Sequence, residues 1–241
     1  MRSHALGLAF AVVVSACGPS SGSSSGSAVL KFQGKIGGTA LGTAASALTV
    51  DPSAPTIFGM KLIAAYLAEG IDPVTQDNQG QTPMIYLNPE CSGDIEHCDI
   101  SPGTAPDGRP TTHIVQSTFD LALPAAQVNA ALNAQAHPVP EGTYRYVRVE
   151  FCKSNSGSAT NVAWGTADTG TIEFVGGGCV VTAELSPPVS IGGGDEVTVT
   201  LNYDLAGTVQ TGDAASGQSC TGTGATRACF TVPTFVPSAT K

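Results

Sequence analysis

Residues 143–152 read Thr143-Tyr144-Arg145-Tyr146-Val147-Arg148-Val149-Glu150-Phe151-Cys152, and residues 196–204 read Glu196-Val197-Thr198-Val199-Thr200-Leu201-Asn202-Tyr203-Asp204. Both stretches alternate. A strand turns successive side chains to opposite faces, so strict alternation marks a strand with one face in a core. In the first, Arg145, Val147, Val149 and Phe151 share one face, and Tyr144, Tyr146, Arg148 and Glu150 the other. In the second, Val197, Val199, Leu201 and Tyr203 oppose Thr198, Thr200, Asn202 and Asp204. The pattern predicts two core strands, with Val147, Val149, Val197, Val199 and Leu201 buried.

The rest of the chain follows the same logic. Val29 to Ile36 reads as a first strand, and Gly37 to Ala47 as a loop. Thr56 to Leu67 is the most apolar run beyond the N-terminus, with Phe58, Met60, Leu62, Ala64 and Tyr66 on one period-2 face, and is taken as a strand. Short strands are expected at Pro83 to Leu87, His113 to Leu121, Thr171 to Val175, Cys179 to Leu185 (before Pro187-Pro188) and Cys229 to Val236. One helix is expected from Pro124 to Ala136, with Val128 and Leu132 as an i,i+4 apolar pair and Pro138 and Pro140 ending it. Gly176-Gly177-Gly178 and Gly192-Gly193-Gly194 read as turns, because neither leads into a helix that could cradle phosphate. Short strands between Gly/Pro turns predict an all-β fold. It would be an antiparallel β-sandwich, immunoglobulin-like or prealbumin-like, with one short helix and disulfides.

The N-terminus carries a different signal. Met1-Arg2-Ser3-His4 bears one fixed positive charge, Ala5 to Val14 is apolar, and Val14-Ser15-Ala16 is small before Cys17. This reads as a secretory signal. Its end, Val14-Ser15-Ala16-Cys17, resembles a bacterial lipobox, which implies cleavage before Cys17 and lipidation of that cysteine. Several acyl chains on one residue would anchor stably. Pro19 to Ser27 contains only Pro, Ser and Gly, the composition of a flexible tether. The expected organisation is a signal peptide at 1–16, a lipid anchor and tether at 17–27, and one sandwich domain at 28–241, a subdivision near residue 110 being left open. Gly18 stands where an Asp would signal inner-membrane retention in some bacteria, which points to the outer membrane.

Loss of residues 1–16 removes Arg2 and no acid, leaving nine bases against nineteen acids, a net charge of −10. An acidic exported chain lacks the basic footprint of a nucleic-acid binder. With Cys17 lipidated, six cysteines remain, an even number that reads as disulfides. Short loops close most easily, so Cys91 is expected to pair with Cys98 and Cys220 with Cys229, leaving Cys152 with Cys179. The spacings suit no zinc site.

Glu141-Gly142-Thr143-Tyr144, the strand ending Leu201-Asn202-Tyr203-Asp204-Leu205 and the closing Thr231-Val232-Pro233 resemble a family of bacterial lipoprotein β-sandwich domains of unknown function, over roughly residues 113–236. The resemblance implies a fold and a location, and lends no catalytic residues.

One interval stands out for ligand chemistry. Between Lys61 and Arg109 there is no Lys or Arg, yet the interval holds Glu69, Asp72, Asp77, Glu90, Asp94, Glu96, Asp99 and Asp107. Uncompensated carboxylates repel one another unless they are solvated or neutralised. Two groups could supply oxygen ligands to calcium: Asp72, Asp77 and Asn78 near Gly80, and Asp94, Glu96 and Asp99 beside the Cys91–Cys98 loop. The alternative is a solvated acidic surface. Trp164 with Tyr144 and Tyr146 could stack on a sugar, or be core aromatics. His97, His113 and His137 are scattered, and Gly22-Ser23-Ser24-Ser25-Gly26 lies in the tether, where no nucleophile elbow can form.

The expected function is therefore non-enzymatic: a lipid-anchored cell-envelope module, structural or binding. It needs no cofactor other than the open option of calcium. Its partners would be the membrane, through the lipid, and an envelope protein or glycan. A calcium-dependent adhesion or glycan-binding module and an envelope hydrolase with a dispersed site stand as alternatives.

Overall fold

The computed structural model describes residues 24–36, 39–40, 58–105, 107–152, 163–167, 170–174, 179–206, 209–211, 228–230 and 234–241, with backbone strands alone at 39–40, 163–167, 170–174, 209–211 and 228–230. The principal elements in chain order are β1 (Ser25–Ile36), β2 (Ala64–Ala68), β3 (Met84–Leu87), α1 (Ala125–Leu132), β4 (His137–Pro140), β5 (Gly142–Glu150), β6 (Val180–Ile191), β7 (Glu196–Asp204) and β8 (Phe235–Thr240). They form two sheets, one ordered β4-β1-β7-β8 and the other β6-β5-β2-β3. Their inner faces share one buried cluster, to which Leu30, Phe32, Val199 and Leu201 come from the first sheet and Leu67, Val147 and Val149 from the second. The fold is all-β and sandwich-like, with one helix and disulfides at Cys91–Cys98 (Cα–Cα 5.3 Å) and Cys152–Cys179 (Cα–Cα 4.6 Å), two of the three pairs expected. The third, Cys220–Cys229, lies outside the described side chains. Among the described residues no helix is long and apolar enough to cross a membrane.

The two diagnostic strands form where the alternation put them, and all five apolar residues singled out are buried. β7 keeps strict phase, with Val197, Val199, Leu201 and Tyr203 buried. β5 does not. Its pairing with β6 jumps from Tyr144↔Val189 to Tyr146↔Glu184. This bulge places Arg145 and Tyr146 between two inward residues, Tyr144 and Val147. Arg145 is exposed instead of sharing the valine face, and Tyr144 is fully buried. The Tyr144 hydroxyl donates to Pro140 O at 2.8 Å, tying the strand back to the corner where the chain passes from one sheet to the other. Tyrosine corners of β-sandwiches use the same bond.

Several boundaries differ from the sequence expectation, each for a tertiary reason. The tether expected through Ser27 ends earlier, because β1 begins at Ser25 and pairs Ser25↔Pro140, Gly26↔Val139 and Ser27↔Pro138 with β4. β1 and β7 pair in parallel over nine positions, Ser27↔Glu196 to Lys35↔Asp204, so the sheet is mixed and not purely antiparallel. Parallel neighbours need a long connection, and here most of the chain, including the whole second sheet, lies between them. The run at 56–67 splits into Gly59–Met60, paired with Phe119–Asp120, and β2. Leu62, Ile63, Ala64, Ala65 and Leu67 are all fully buried, and residues enclosed on both faces need not alternate. The expected strand at 113–121 is likewise divided, into His113–Ile114 and Phe119–Asp120. α1 stops at Asn133, which takes a left-handed conformation (φ 47°), and not at the prolines. Pro138 and Pro140 instead sit in β4, at one edge of the first sheet. β6 continues through Pro187-Pro188, also as an edge. The expected closing strand at 229–236 is two strands in different sheets, Ala228–Phe230 and β8. β8 forms the other edge of the first sheet and carries Pro237. Proline lacks an N–H, so edges that carry it are poor templates for a further strand.

α1 serves β1 directly. Val128 and Leu132 are buried against the core, while Asn129 Oδ1 accepts from Phe32 N at 2.8 Å and its Nδ2 donates to Phe32 O at 2.9 Å. That amide replaces a neighbouring strand beyond the end of β4.

Candidate functional site

The acidic interval leaves β2 and makes a short hairpin, Gly70–Ile71 with Asn78–Gln79. Asp72 Oδ1 accepts from Val74 N (2.8 Å) and Thr75 N (2.9 Å), and its Oδ2 accepts from Gln79 Nε2 (3.3 Å). These backbone donors hold the Asp72 carboxyl below its ordinary range. Arg148 Nη1 donates to Asn78 Oδ1 (3.3 Å) and Gln76 O (3.1 Å). An arginine from β5 therefore reaches the hairpin whose own sequence interval holds no Lys or Arg. Asp77 is exposed, its backbone N–H given to Thr75 Oγ1 (3.3 Å).

The second acidic group surrounds the Cys91–Cys98 bridge. His97 is buried, and both its ring nitrogens meet carboxylates: Nδ1 to Asp94 Oδ1 at 2.7 Å and Nε2 to Asp107 Oδ2 at 3.0 Å. Two carboxylate acceptors are both satisfied only by a ring with two N–H donors, so the arrangement favours the imidazolium form. The bonds to Asp107 and Asp94 raise the His97 pKa above its ordinary value. The bond from His97 lowers Asp94, and the backbone N–H of Arg109, with His97, lowers Asp107. Thr112 Oγ1 completes the cluster by donating to Asp94 Oδ2 at 3.0 Å. Asp99 is buried with Oδ1 accepting from Ile100 N at 2.7 Å, and Glu96 is exposed.

The two groups expected to offer oxygen ligands to calcium stand apart as the sequence spaced them, Asp72, Asp77 and Asn78 at the hairpin and Asp94, Glu96 and Asp99 beside the Cys91–Cys98 bridge. Asp72, Asn78, Asp94 and Asp99 spend oxygens on protein donors, and among the described residues no three His, Cys, Asp or Glu side chains are grouped to hold a metal. Sequence reasoning missed the His97 clamp. Its one local signal was the i,i+3 spacing of Asp94 and His97; Asp107 is brought in by the loop that follows. Of the three aromatics with the chemistry to stack on a sugar, Tyr144 is core, Tyr146 is half-buried on the outer face of β5, and the Trp164 side chain lies outside the described residues.

A different region offers concavity. The outer face of the β4-β1-β7-β8 sheet has two hollows. One, of about 480 Å³, is lined by Gln33, Lys35, Asn202, Asp204, Thr234 and Val236. The other, of about 400 Å³, lies toward the start of β1 and β7 and is lined by Ser27, Val29, Glu196, Thr198, Thr240 and Lys241. Both volumes fall in the range of ligand sites. Because β1 and β7 are parallel, their C-terminal ends close the first hollow together, with Lys35 Nζ 3.6 Å from Asp204 Oδ2. Val236, 61% exposed, stands in it as an uncovered apolar side chain. Lys241 Nζ contacts Asp195 Oδ2 at 2.7 Å at the rim of the second. Searches of family models, of curated proteins and of solved structures find no match to this chain.

Proposed function

We propose that this chain is a lipid-anchored lipoprotein of the bacterial cell envelope, held in the outer membrane through Cys17, whose β-sandwich is a non-catalytic binding or structural module. The observation that carries this reading is the apolar run Ala5 to Val14 ending in Val14-Ser15-Ala16-Cys17, and β1 starts at Ser25, eight residues after Cys17. Eight residues span at most about 28 Å. A lipid on Cys17 would therefore keep the Ser25 end of the sheet close to the bilayer and turn the Lys35–Asp204 end away from it. The His97 geometry favours a structural role for that ring, since both of its nitrogens are engaged by carboxylates of the same chain. The partners that suit such a module are an envelope protein or a glycan.

Fractionation of cells expressing the full chain tests the anchor. Wild type is expected with membranes and Cys17→Ala in the soluble fraction. A Cys17→Ala protein that still sediments with membranes overturns it.

A further inference from the structure

We infer that the outer face of the β4-β1-β7-β8 sheet binds a neutral, linear glycan laid along β7. The inference rests on the binding-module reading above and names its ligand. The two hollows lie on one face and are joined by the row Lys31, Thr200 and Ser238, which register places side by side. From Thr198 to Asp204 the track is about 20 Å long at the usual rise of a strand. Its length suits a polymer better than a single small molecule.

The surface chemistry is that of hydroxyl recognition. The side chains of Gln33, Thr198, Thr200 and Thr240 face outward and make no hydrogen bond among the described residues, so their donors and acceptors are available. Asn202 Nδ2 is committed to Val236 O (2.9 Å) and Ser238 Oγ (3.1 Å), which fixes the amide in place. The Lys35–Asp204 pair sets a donor beside an acceptor, an arrangement that neighbouring sugar hydroxyls satisfy because each both donates and accepts. Each hollow also has one outward-facing valine, Val29 or Val236, to meet the C–H face of a ring. Charge favours a neutral polymer. Lys31, Lys35 and Lys241 are balanced by Asp195, Glu196 and Asp204, so face and rim carry no net field. An extended peptide is the less suited occupant, since it would seek the sheet edges, and β4 and β8 carry prolines.

The test is a titration of the ¹⁵N-labelled full chain, in detergent micelles, followed by amide chemical shifts. The probes are cellohexaose, N-acetylchitohexaose and a blocked Ser-Thr octapeptide. A glycan should shift amides of β7 and β8, and Gln33→Ala and Thr200→Val should each weaken binding about threefold to tenfold, the worth of one hydrogen bond. Gln33 is exposed, so its variant keeps the fold and serves if Thr200→Val does not. Shifts with the peptide alone, no shifts with either glycan, or an affinity untouched by Gln33→Ala overturn the inference. The titration does not depend on membrane partition, so a failed anchor and a failed glycan site are separate results.

Discussion

Gly26→Ala should destabilise this protein although Gly26 lies in a run of Ser and Gly that reads as a tether. In β1 it is buried and paired with Val139. A Cβ built there would lie 2.6 Å from Ile191 Cγ2, 2.8 Å from Asp195 O and 2.9 Å from Gly192 O. Two of those atoms are backbone of one turn, and that turn is tied down. Ser27 N donates to Asp195 O at 2.8 Å, Gly194 N to Ser25 O at 3.1 Å, and Gly192 N to Asp195 Oδ2 at 2.7 Å. The turn cannot retreat without lengthening these bonds. Overpacking of this kind costs about 1–3 kcal/mol. For a domain of this size that is a fall in Tm of about 2–12 °C, at roughly 2–4 °C per kcal/mol. Ser25→Ala, an exposed position on the same strand, is the control and should stay within about 0.5 kcal/mol of wild type. Thermal melts of the three proteins by circular dichroism decide it. If Gly26→Ala melts with the control, β1 does not begin inside the Ser/Gly run and the short-tether argument loses its basis.

Tyr144→Phe removes the donor to Pro140 O from a fully buried ring and should cost about 1–3 kcal/mol in urea unfolding; an unchanged midpoint would mean the corner bond is dispensable. Val149→Asp puts an unpaired charge at a site 1% exposed, so no cooperative melt should survive near neutral pH, and a wild-type melt would refute the face assignment of β5. The His97 clamp should make stability depend on pH in two windows. Its raised pKa means its contribution is complete below about pH 6.5 and is lost as pH rises through the folded value. The lowered pKa values of Asp94 and Asp107 mean theirs is present above about pH 3.9 and is lost as pH falls through the folded values. Wild type minus His97→Asn should therefore show its largest stability difference between these limits and a shrinking one above them; a difference flat from pH 5 to 9 would exclude the clamp.

Alternation in 196–204 was sufficient by itself to define β7, its ends and its buried face, because a strand with one face in a core records that environment residue by residue. The helix body around Val128 and Leu132 and the disulfide Cys91–Cys98 were legible for similar local reasons, a short apolar repeat and a short loop between cysteines, and Cys152–Cys179 followed by elimination. What the chain as a string could not reveal is whatever depends on a distant neighbour. Arg145 leaves the valine face because β6 carries extra residues opposite it. Gly26 is in the sheet because the 192–195 turn folds over it. Arg148 donates to a hairpin some seventy residues earlier, and Asp107 closes on His97 from the far side of a loop. The hollows exist because β1 and β7, far apart in sequence, lie parallel with their ends together. Periodicity is written into the chain one residue at a time, whereas register, compensation of charge and concavity are properties of pairs that only the packed structure brings into contact.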